Sequence, residues 1–255
     1  IAIRKSVAMQ SIAFLVLALA ACFASAAKFP KNWTVCRRSD KNMDECIRSA
    51  AEFAVRSLKD GNPQLGVFPL DPFHFNKLTL GGGNGPVNIK LDLKNLDLYG
   101  ISTANVQGLK TDWDNQYLEG NITFGSDFVL LGDYSVNGRV LVLPIVGEGK
   151  CNLTFQNFEA HLTAKGHEVT KGKKKYMVLD KFTVDIETSR FIMDLQNLFN
   201  GDKALSDNMN VFINENWKDI LQELRPSISA AFGEGFRQVA NAVFSRLSLD
   251  VIAPK

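Results

Sequence analysis

Side chains that carry out acid–base, nucleophilic or metal chemistry are scarce in this sequence. It contains only 3 histidines and 4 cysteines among 255 residues. His161 and His167 lie near Glu159 and Glu168 but lack the spacing of metal ligands. Neither a G-x-S-x-G nucleophile elbow nor an H-E-x-x-H zinc pattern occurs. These absences predict that the protein is not an enzyme and has no catalytic residue, metal or cofactor.

A strong charge of either sign is also missing. The chain has 29 Lys and Arg residues against 27 Asp and Glu residues. Two of the basic residues, Arg4 and Lys5, fall in the leader segment described next, so the mature chain would be neutral. A neutral chain lacks the basic surface that phosphate backbones require, which argues against nucleic acid as a partner.

Long apolar runs are absent except near the N-terminus. The run that ends near Ala21 has the length of a signal-peptide core and is too short to span a bilayer comfortably. Ala24-Ser25-Ala26 provides a small-x-small cleavage pattern. We therefore expect a leader over 1–27, with Met9 as the start, and one domain over 28–255. An uncleaved N-terminal anchor is the alternative. No later run is apolar enough for stable membrane insertion, so we expect a secreted, extracellular protein. We also expect it to be a monomer.

Cysteines are too few for a disulfide framework. Cys22 would leave with the leader, whereas Cys36 and Cys46 lie close together and are expected to form a disulfide in a secreted chain. Cys151 is then unpaired. A buried thiol is the expected state, and an intermolecular bridge is the alternative.

Three N-x-S/T sequons fit passage through the secretory pathway. Their asparagines are Asn32, Asn121 and Asn152.

Hydrophobic periodicity predicts an α+β fold. A helix is expected from Asp40, as its N-cap, to about Lys59. From Phe73 to about Leu195 apolar and polar residues alternate, which indicates strands with one buried face. Because no helices separate these strands, the sheet should be antiparallel. Turn signals are expected at Asn137-Gly138 and over 147–149.

The C-terminal run from Ser206 to Ser248 carries apolar residues at steps of three and four, which predicts one long amphipathic helix. Pro226 should bend this helix without ending it. The sheet needs a cover for its apolar face, and this helix is the only large element left to provide one. We therefore predict a long C-terminal α-helix wrapped by a highly curved antiparallel β-sheet. The interior would be either a filled core or an apolar ligand space.

Several motifs resemble the insect takeout and juvenile-hormone-binding protein family over nearly the whole mature chain. They are Cys36/Cys46, Leu70-Asp71-Pro72, Gly82–Val87, Leu98-Tyr99-Gly100, Gly132–Gly149, Asn214–Trp217 and Leu224-Arg225-Pro226. The resemblance implies a fold related to tubular lipid-binding domains, with an internal tunnel. It also implies a secreted carrier of a small hydrophobic ligand, such as a juvenile-hormone-like terpenoid, a fatty acid or another lipid.

One departure from the family pattern concerns cysteine. Juvenile-hormone carriers in the narrow sense tend to have a second disulfide, which the lone Cys151 cannot form here. This favours the takeout branch. The alternative function is an extracellular interaction or structural protein with a filled core.

If a tunnel exists, it should run between the helix stripe and the central hairpins. Tyr134 is the polar residue expected to orient the head of a ligand. The predicted lining consists of Phe124, Leu130, Tyr134, Val140, Val142, Leu153, Phe155, Trp217, Leu221, Phe232 and Phe236.

Overall fold

The structure, a computed structural model, describes residues 28–81 and 85–255. The predicted leader over 1–27 and the tip of the Gly82–Val87 motif lie outside the described residues. The helices are α1 (Met43–Ser57), α2 (Lys203–Glu215), α3 (Trp217–Phe244) and the short α4 (Leu249–Ile252). The strands are β1 (Phe73–Gly81), β2 (Val87–Tyr99), β3 (Ala104–Asp112), β4 (Tyr117–Phe124), β5 (Phe128–Val140), β6 (Leu143–Gln156), β7 (Glu159–Lys171), β8 (Lys174–Glu187) and β9 (Arg190–Leu195).

The strands form two antiparallel sheets with the long C-terminal helix against both of them. One sheet has five strands in the order β1-β2-β5-β6-β9, and the other has four in the order β3-β4-β7-β8. Helix α3 packs on β1, β2 and β9 of the first sheet and on β8 of the second. The predicted α+β class is therefore confirmed, and each of the two sheets covers part of the long helix. Among the described helices, none is both long and apolar enough to cross a membrane.

The strand pattern was predicted well, but two glycine-containing segments were misread as turns. Asn137-Gly138 lies inside β5, and the hairpin turn comes later, at Leu141 and Val142. A side chain on Gly138 would meet the carbonyl oxygen of Asn88 at 2.2 Å. The glycine therefore serves close packing against β2 rather than chain reversal. Residues 147–149 likewise lie inside β6, where the chain around Gln196 crosses closely over the strand.

Strand β2 contains a bulge where its alternation slips. The register between β2 and β5 shifts between Lys94 and Asp97, and Asn95 has a positive φ of 48°. Asparagine tolerates this left-handed conformation better than most residues, which explains why the slip falls on it.

The N-terminal arm is held to α1 by the predicted disulfide between Cys36 and Cys46. Cys151 is a buried free thiol, as expected. The predicted helix start was slightly wrong, because α1 begins at Met43. Asp40 accepts a hydrogen bond from the backbone N–H of Asn42 and so forms the turn that leads into the helix.

The expected single C-terminal helix is broken into α2 and α3 at Asn216. Asn216 has φ −103° and ψ 23°, outside the helical region, and its side-chain amide donates to the carbonyl of Phe212 at 2.8 Å. The break occupies one residue, so the apolar stripe continues across it. At Pro226 the helix continues without interruption, which confirms that the proline does not end it.

Helix α2 is attached to the edge strand β9 by two asparagine side chains one helical turn apart. Asn214 accepts from the N–H of Met193 at 2.9 Å and donates to its carbonyl at 2.6 Å. Asn210 makes the same pair of bonds to Leu195, at 3.0 and 2.9 Å. Each amide thus replaces the peptide group of a missing neighbouring strand, which satisfies the exposed edge of the sheet.

The other sheet uses the same device on both of its edges. On α3, Asn241 accepts from the N–H of Leu179 in β8 at 2.8 Å and donates to its carbonyl at 3.0 Å. On α1, Glu52 accepts from the N–H of Val106 in β3, and Arg48 donates to the carbonyl of that residue. Helices therefore cover both edges of the four-stranded sheet.

Replacing Asn214 by Ala should destabilise the fold because Met193 would lose two hydrogen bonds at a partly buried edge. Each unsatisfied group costs about 1–3 kcal/mol, so we expect a loss of roughly 2–4 kcal/mol in the free energy of unfolding. Urea denaturation followed by circular dichroism measures this change.

The matched control is Asn208→Ala on the same helix, because Asn208 is exposed and makes no side-chain hydrogen bond to the described residues. Its change should stay within about 0.5 kcal/mol. Equal effects of the two substitutions would show that the strand-edge bonds add nothing to stability.

Candidate functional site

An apolar cavity lies between the five-stranded sheet and the C-terminal helices. Its walls come from β1, β2, β5, β6 and β9 on one side and from α2 and α3 on the other. The strand residues are Leu78, Leu80, Ile89, Leu91, Leu93, Leu130, Val136, Val140, Ile145, Leu153, Phe155, Phe191, Met193 and Leu195. The helix residues are Ile213, Ile220, Leu224, Ile228, Ala231 and Phe232.

The cavity is narrow. The space open to the centre of a water molecule is about 40 Å³, and roughly 10–15 Å³ of such space is needed for one water. Only a few small groups would fit without movement of the walls. All the lining side chains are apolar, so apart from the weakly accepting thioether of Met193 nothing in the walls offers a hydrogen bond or a charge to an occupant.

The structure brings part of the predicted lining together at this cavity. Leu130, Val140, Leu153, Phe155 and Phe232 are all in its wall. The strand residues share the inward face because side chains alternate along β5 and β6, as the periodicity predicted. Whether they contact a ligand remains a prediction.

Two predicted helix residues lie beside the cavity wall rather than in it. Trp217 and Leu221 are buried in the core, but the lining on this part of the helix is formed by Ile220 and Leu224. The helix presents a stripe several residues wide, and the difference between neighbouring positions on that stripe depends on how the helix is rotated against the sheet.

Val142 is placed differently from its prediction. It lies in the turn between β5 and β6 and is 82% exposed, so it does not line the cavity. The error follows from reading Asn137-Gly138 as the turn, because a later turn moves Val142 from a strand to the tip of the hairpin.

The predicted head-group residue, Tyr134, is buried but outside the lining. Its hydroxyl donates to the backbone carbonyl of Gln196 at 2.7 Å. Burial raises the pKa of the Tyr134 hydroxyl to about 12. Because the hydroxyl is bonded to Gln196, it fixes the segment after β9 against the sheet and does not point into the cavity.

Phe124 and Phe236 belong to an aromatic cluster that adjoins the cavity. Phe124 packs on Phe128 at 4.3 Å between ring centroids, and Phe236 packs on Phe232 at 6.0 Å. Phe155 and Phe191 stack at 4.4 Å and belong both to this cluster and to the lining. The cluster therefore forms one boundary of the cavity, and extending the space past it requires these rings to turn.

Sequence reasoning missed the contribution of β1 and β2. Ile89, Leu91 and Leu93 all line the cavity. Their signal was present in the strict alternation of β2, which indicated an inward face. The alternation did not indicate that β2 lies opposite the helix.

The three histidines are on the outside of the protein and each has a polar partner. His74 contacts Asp97 at 2.7 Å, His161 contacts Asn121 at 2.8 Å, and His167 contacts Asp180 at 2.8 Å. Within residues 28–81 and 85–255, no group of three or more His, Cys, Asp and Glu side chains could hold a metal ion.

Fold and cavity together define a class of α+β protein in which a long helix and an antiparallel sheet enclose an apolar space. Residues 13–254 match the model of the haemolymph juvenile hormone binding protein family, and the chain belongs to this family.

Known proteins with similar sequences or structures agree with this assignment. The circadian clock-controlled protein daywake of Drosophila melanogaster is 24% identical over 87% of both chains. A putative beta-carotene-binding protein of Schistocerca gregaria is 21% identical over 82% of both chains. The crystal structure of Takeout 1 from Epiphyas postvittana superposes with a TM-score of 0.75 and 27% identity, covering 87% of this chain and 99% of that one.

The thiol of Cys151 should be unreactive in the folded protein. Burial raises its pKa to about 11, so about one molecule in a thousand would carry a thiolate at pH 8. We expect one thiol per chain, in protein that starts at residue 28, to react with Ellman's reagent only after unfolding in guanidinium chloride.

Ser135, exposed on the adjacent strand β5, provides the control, because a Ser135→Cys variant should react at once without denaturant. Rapid labelling of the native wild-type protein, or no labelling after unfolding, would contradict a buried free thiol.

The raised pKa of Cys151 also makes stability depend on pH. Between about pH 9 and about pH 11 the thiol ionises in the unfolded chain but stays protonated in the folded one. The free energy of unfolding should therefore decrease as the pH rises through this range.

Proposed function

We propose that this protein is a secreted carrier that binds a small apolar molecule between the helix and the five-stranded sheet. The observation that carries the proposal is the cavity itself, whose walls are apolar throughout. Binding would be driven by burial of apolar surface, worth roughly 25 cal/mol per Å² before the cost of association.

The chemistry of the walls narrows the ligand class. A carboxylate or hydroxyl buried among these side chains would lose its hydrogen bonds to water without replacement, which is costly. A terpenoid or another hydrocarbon-like molecule suits the cavity, and a fatty acid would have to keep its head outside. The family is named for juvenile hormone, and the Schistocerca gregaria relative is named for beta-carotene, which is a hydrocarbon.

The small volume means that the ligand must enlarge its own site. Long unbranched or γ-branched side chains such as Met193, Leu130 and Leu224 change rotamer more readily than β-branched ones. Binding would therefore move side chains in the wall. The energy of that movement would set how large a ligand the protein accepts.

The same small volume favours the second candidate, an extracellular interaction protein with a filled core. Extraction of the purified protein with organic solvent, followed by mass spectrometry, separates the two. A carrier should release an apolar compound in amounts close to one per chain, whereas a filled core should release none.

Secretion would follow from the leader over 1–27, and the mature protein would be a monomeric single domain over 28–255. The disulfide suits an oxidising compartment. The sequon asparagines Asn32, Asn121 and Asn152 are all exposed, as glycosylation requires. Asn121 and Asn152 lie on the outward faces of β4 and β6, so glycans there would not enter the cavity.

Filling the cavity should weaken binding without harming the fold. Ala231 lines the cavity, so Ala231→Leu should weaken binding of the neutral apolar probe N-phenyl-1-naphthylamine by about tenfold or more, equivalent to a loss of about 1.4 kcal/mol. The melting temperature should change little, because the larger side chain occupies existing space. Fluorescence titration and thermal denaturation measure the two effects.

The adjacent Ala230 is exposed and offers the same substitution outside the cavity. Ala230→Leu should bind the probe as the wild-type protein does. If both variants and the wild type bind equally, the probe site is elsewhere. If none binds any apolar probe, the filled-core function gains support.

A further inference from the structure

The hairpin between β5 and β6 presents an apolar tip to solvent. Val140 pairs with Leu143, which leaves Leu141 and Val142 as a two-residue turn. Val142 is 82% exposed, Leu143 is 38% exposed, and Pro144 after them is exposed as well. Exposed tips normally carry small polar residues, so a run of large apolar ones calls for a physical reason.

Turn geometry does not provide that reason. Leu141 has a φ of 53°, and two-residue hairpin turns place Gly, Asn or Asp at positions with positive φ. Leu141 offsets its unfavourable conformation in part by packing against the core. Val142 has no such compensation, because its side chain is in solvent. The sequence therefore keeps an apolar residue at the tip that neither the turn nor the core requires.

The tip is next to the cavity. Val140, immediately before the turn, and Ile145, shortly after it, both line the apolar space. An apolar molecule in contact with Val142 would therefore lie close to residues of the cavity wall.

The charge nearest the tip is basic. Arg139 is the only ionisable residue between Ser135 and Gly147, and it is exposed. Lys90 lies farther from the tip on the same outer face, since it pairs with Asn137 in the neighbouring strand, and its ammonium contacts Asp92 at 3.5 Å. Glu223 packs against Gly85 on the facing helix. The Arg139 guanidinium beside an apolar tip suits an interface of lipid tails and phosphate groups.

We propose that the β5–β6 tip, Leu141–Pro144, docks reversibly on a lipid surface and brings the end of the cavity beside Val140 and Ile145 to the source of its apolar ligand. A stable protein partner would need about 800 Å² of surface on each side, far more than a few tip residues provide. A lipid surface needs no matching shape. The few apolar side chains would give a weak contact rather than insertion. Transfer of ligand rests on the carrier function proposed above, whereas docking itself does not.

Docking is tested without ligand by attaching the environment-sensitive dye NBD to a Val142→Cys variant, in protein that starts at residue 28. Cys151 is buried and should stay unlabelled. NBD emission should rise and shift to the blue with vesicles of phosphatidylcholine mixed with phosphatidylglycerol. A Val211→Cys variant on α2, where Val211 is 57% exposed, is the control and should show no change. Equal responses at the two positions, or none at 142, would overturn the proposal.

A second variant separates docking from ligand binding. Val142→Asp should fold with an unchanged melting temperature and bind N-phenyl-1-naphthylamine in solution as the wild type does. It should lose about tenfold or more in vesicle affinity by co-sedimentation, and Val211→Asp should lose none. Unchanged vesicle binding would contradict docking through the tip. Loss of a dimer in sedimentation velocity would instead identify the tip as a contact between copies of the chain. Failure of the wild type to bind the probe, with vesicle binding intact, would count against the carrier function alone.

Discussion

Open sheet edges are the constraint on which this architecture depends. A two-sheet protein that is not a closed barrel has four edge strands, and each unpaired backbone group at an edge needs a partner. Here the helices provide partners for three of them. Asn210 and Asn214 serve β9, Asn241 serves β8, and charged side chains of α1 serve β3. Side-chain amides imitate an additional strand because they carry the donor and acceptor of a peptide group.

This mode of attachment explains how an apolar space can persist under a long helix. A helix held only by apolar contacts would be drawn onto the sheet until the interior was filled, because every empty volume costs free energy. In this protein α2 and α3 are held at the sheet edges by directional hydrogen bonds. The central contact is therefore free to be less than fully packed, and rings such as Phe155 and Phe232 form the wall of the remaining space.

Much of this arrangement was visible in the sequence. The alternation in β2, β5 and β6 identified the inward faces, and the proximity of Cys36 and Cys46 identified the disulfide. Glycines were harder to interpret, because the same residue serves both tight turns and close packing. Gly138 lies where Asn88 of the neighbouring strand leaves no room for a side chain. That neighbour is distant in sequence, so local signals could not distinguish the two uses.

The sequence by itself determined the family, the α+β class, the apolar interior and the inward faces of β2, β5 and β6, because these follow from local periodicity and short motifs. Only the tertiary structure decided which inward residues line the cavity and which fill the core. Val136 lines the cavity while Tyr134, on the same face, holds the chain at Gln196. Only the tertiary structure placed Val142 at a solvent-exposed tip. Depth along a sheet is set by strand register and by the rotation of a helix packed against it, and both depend on contacts between residues far apart in the chain.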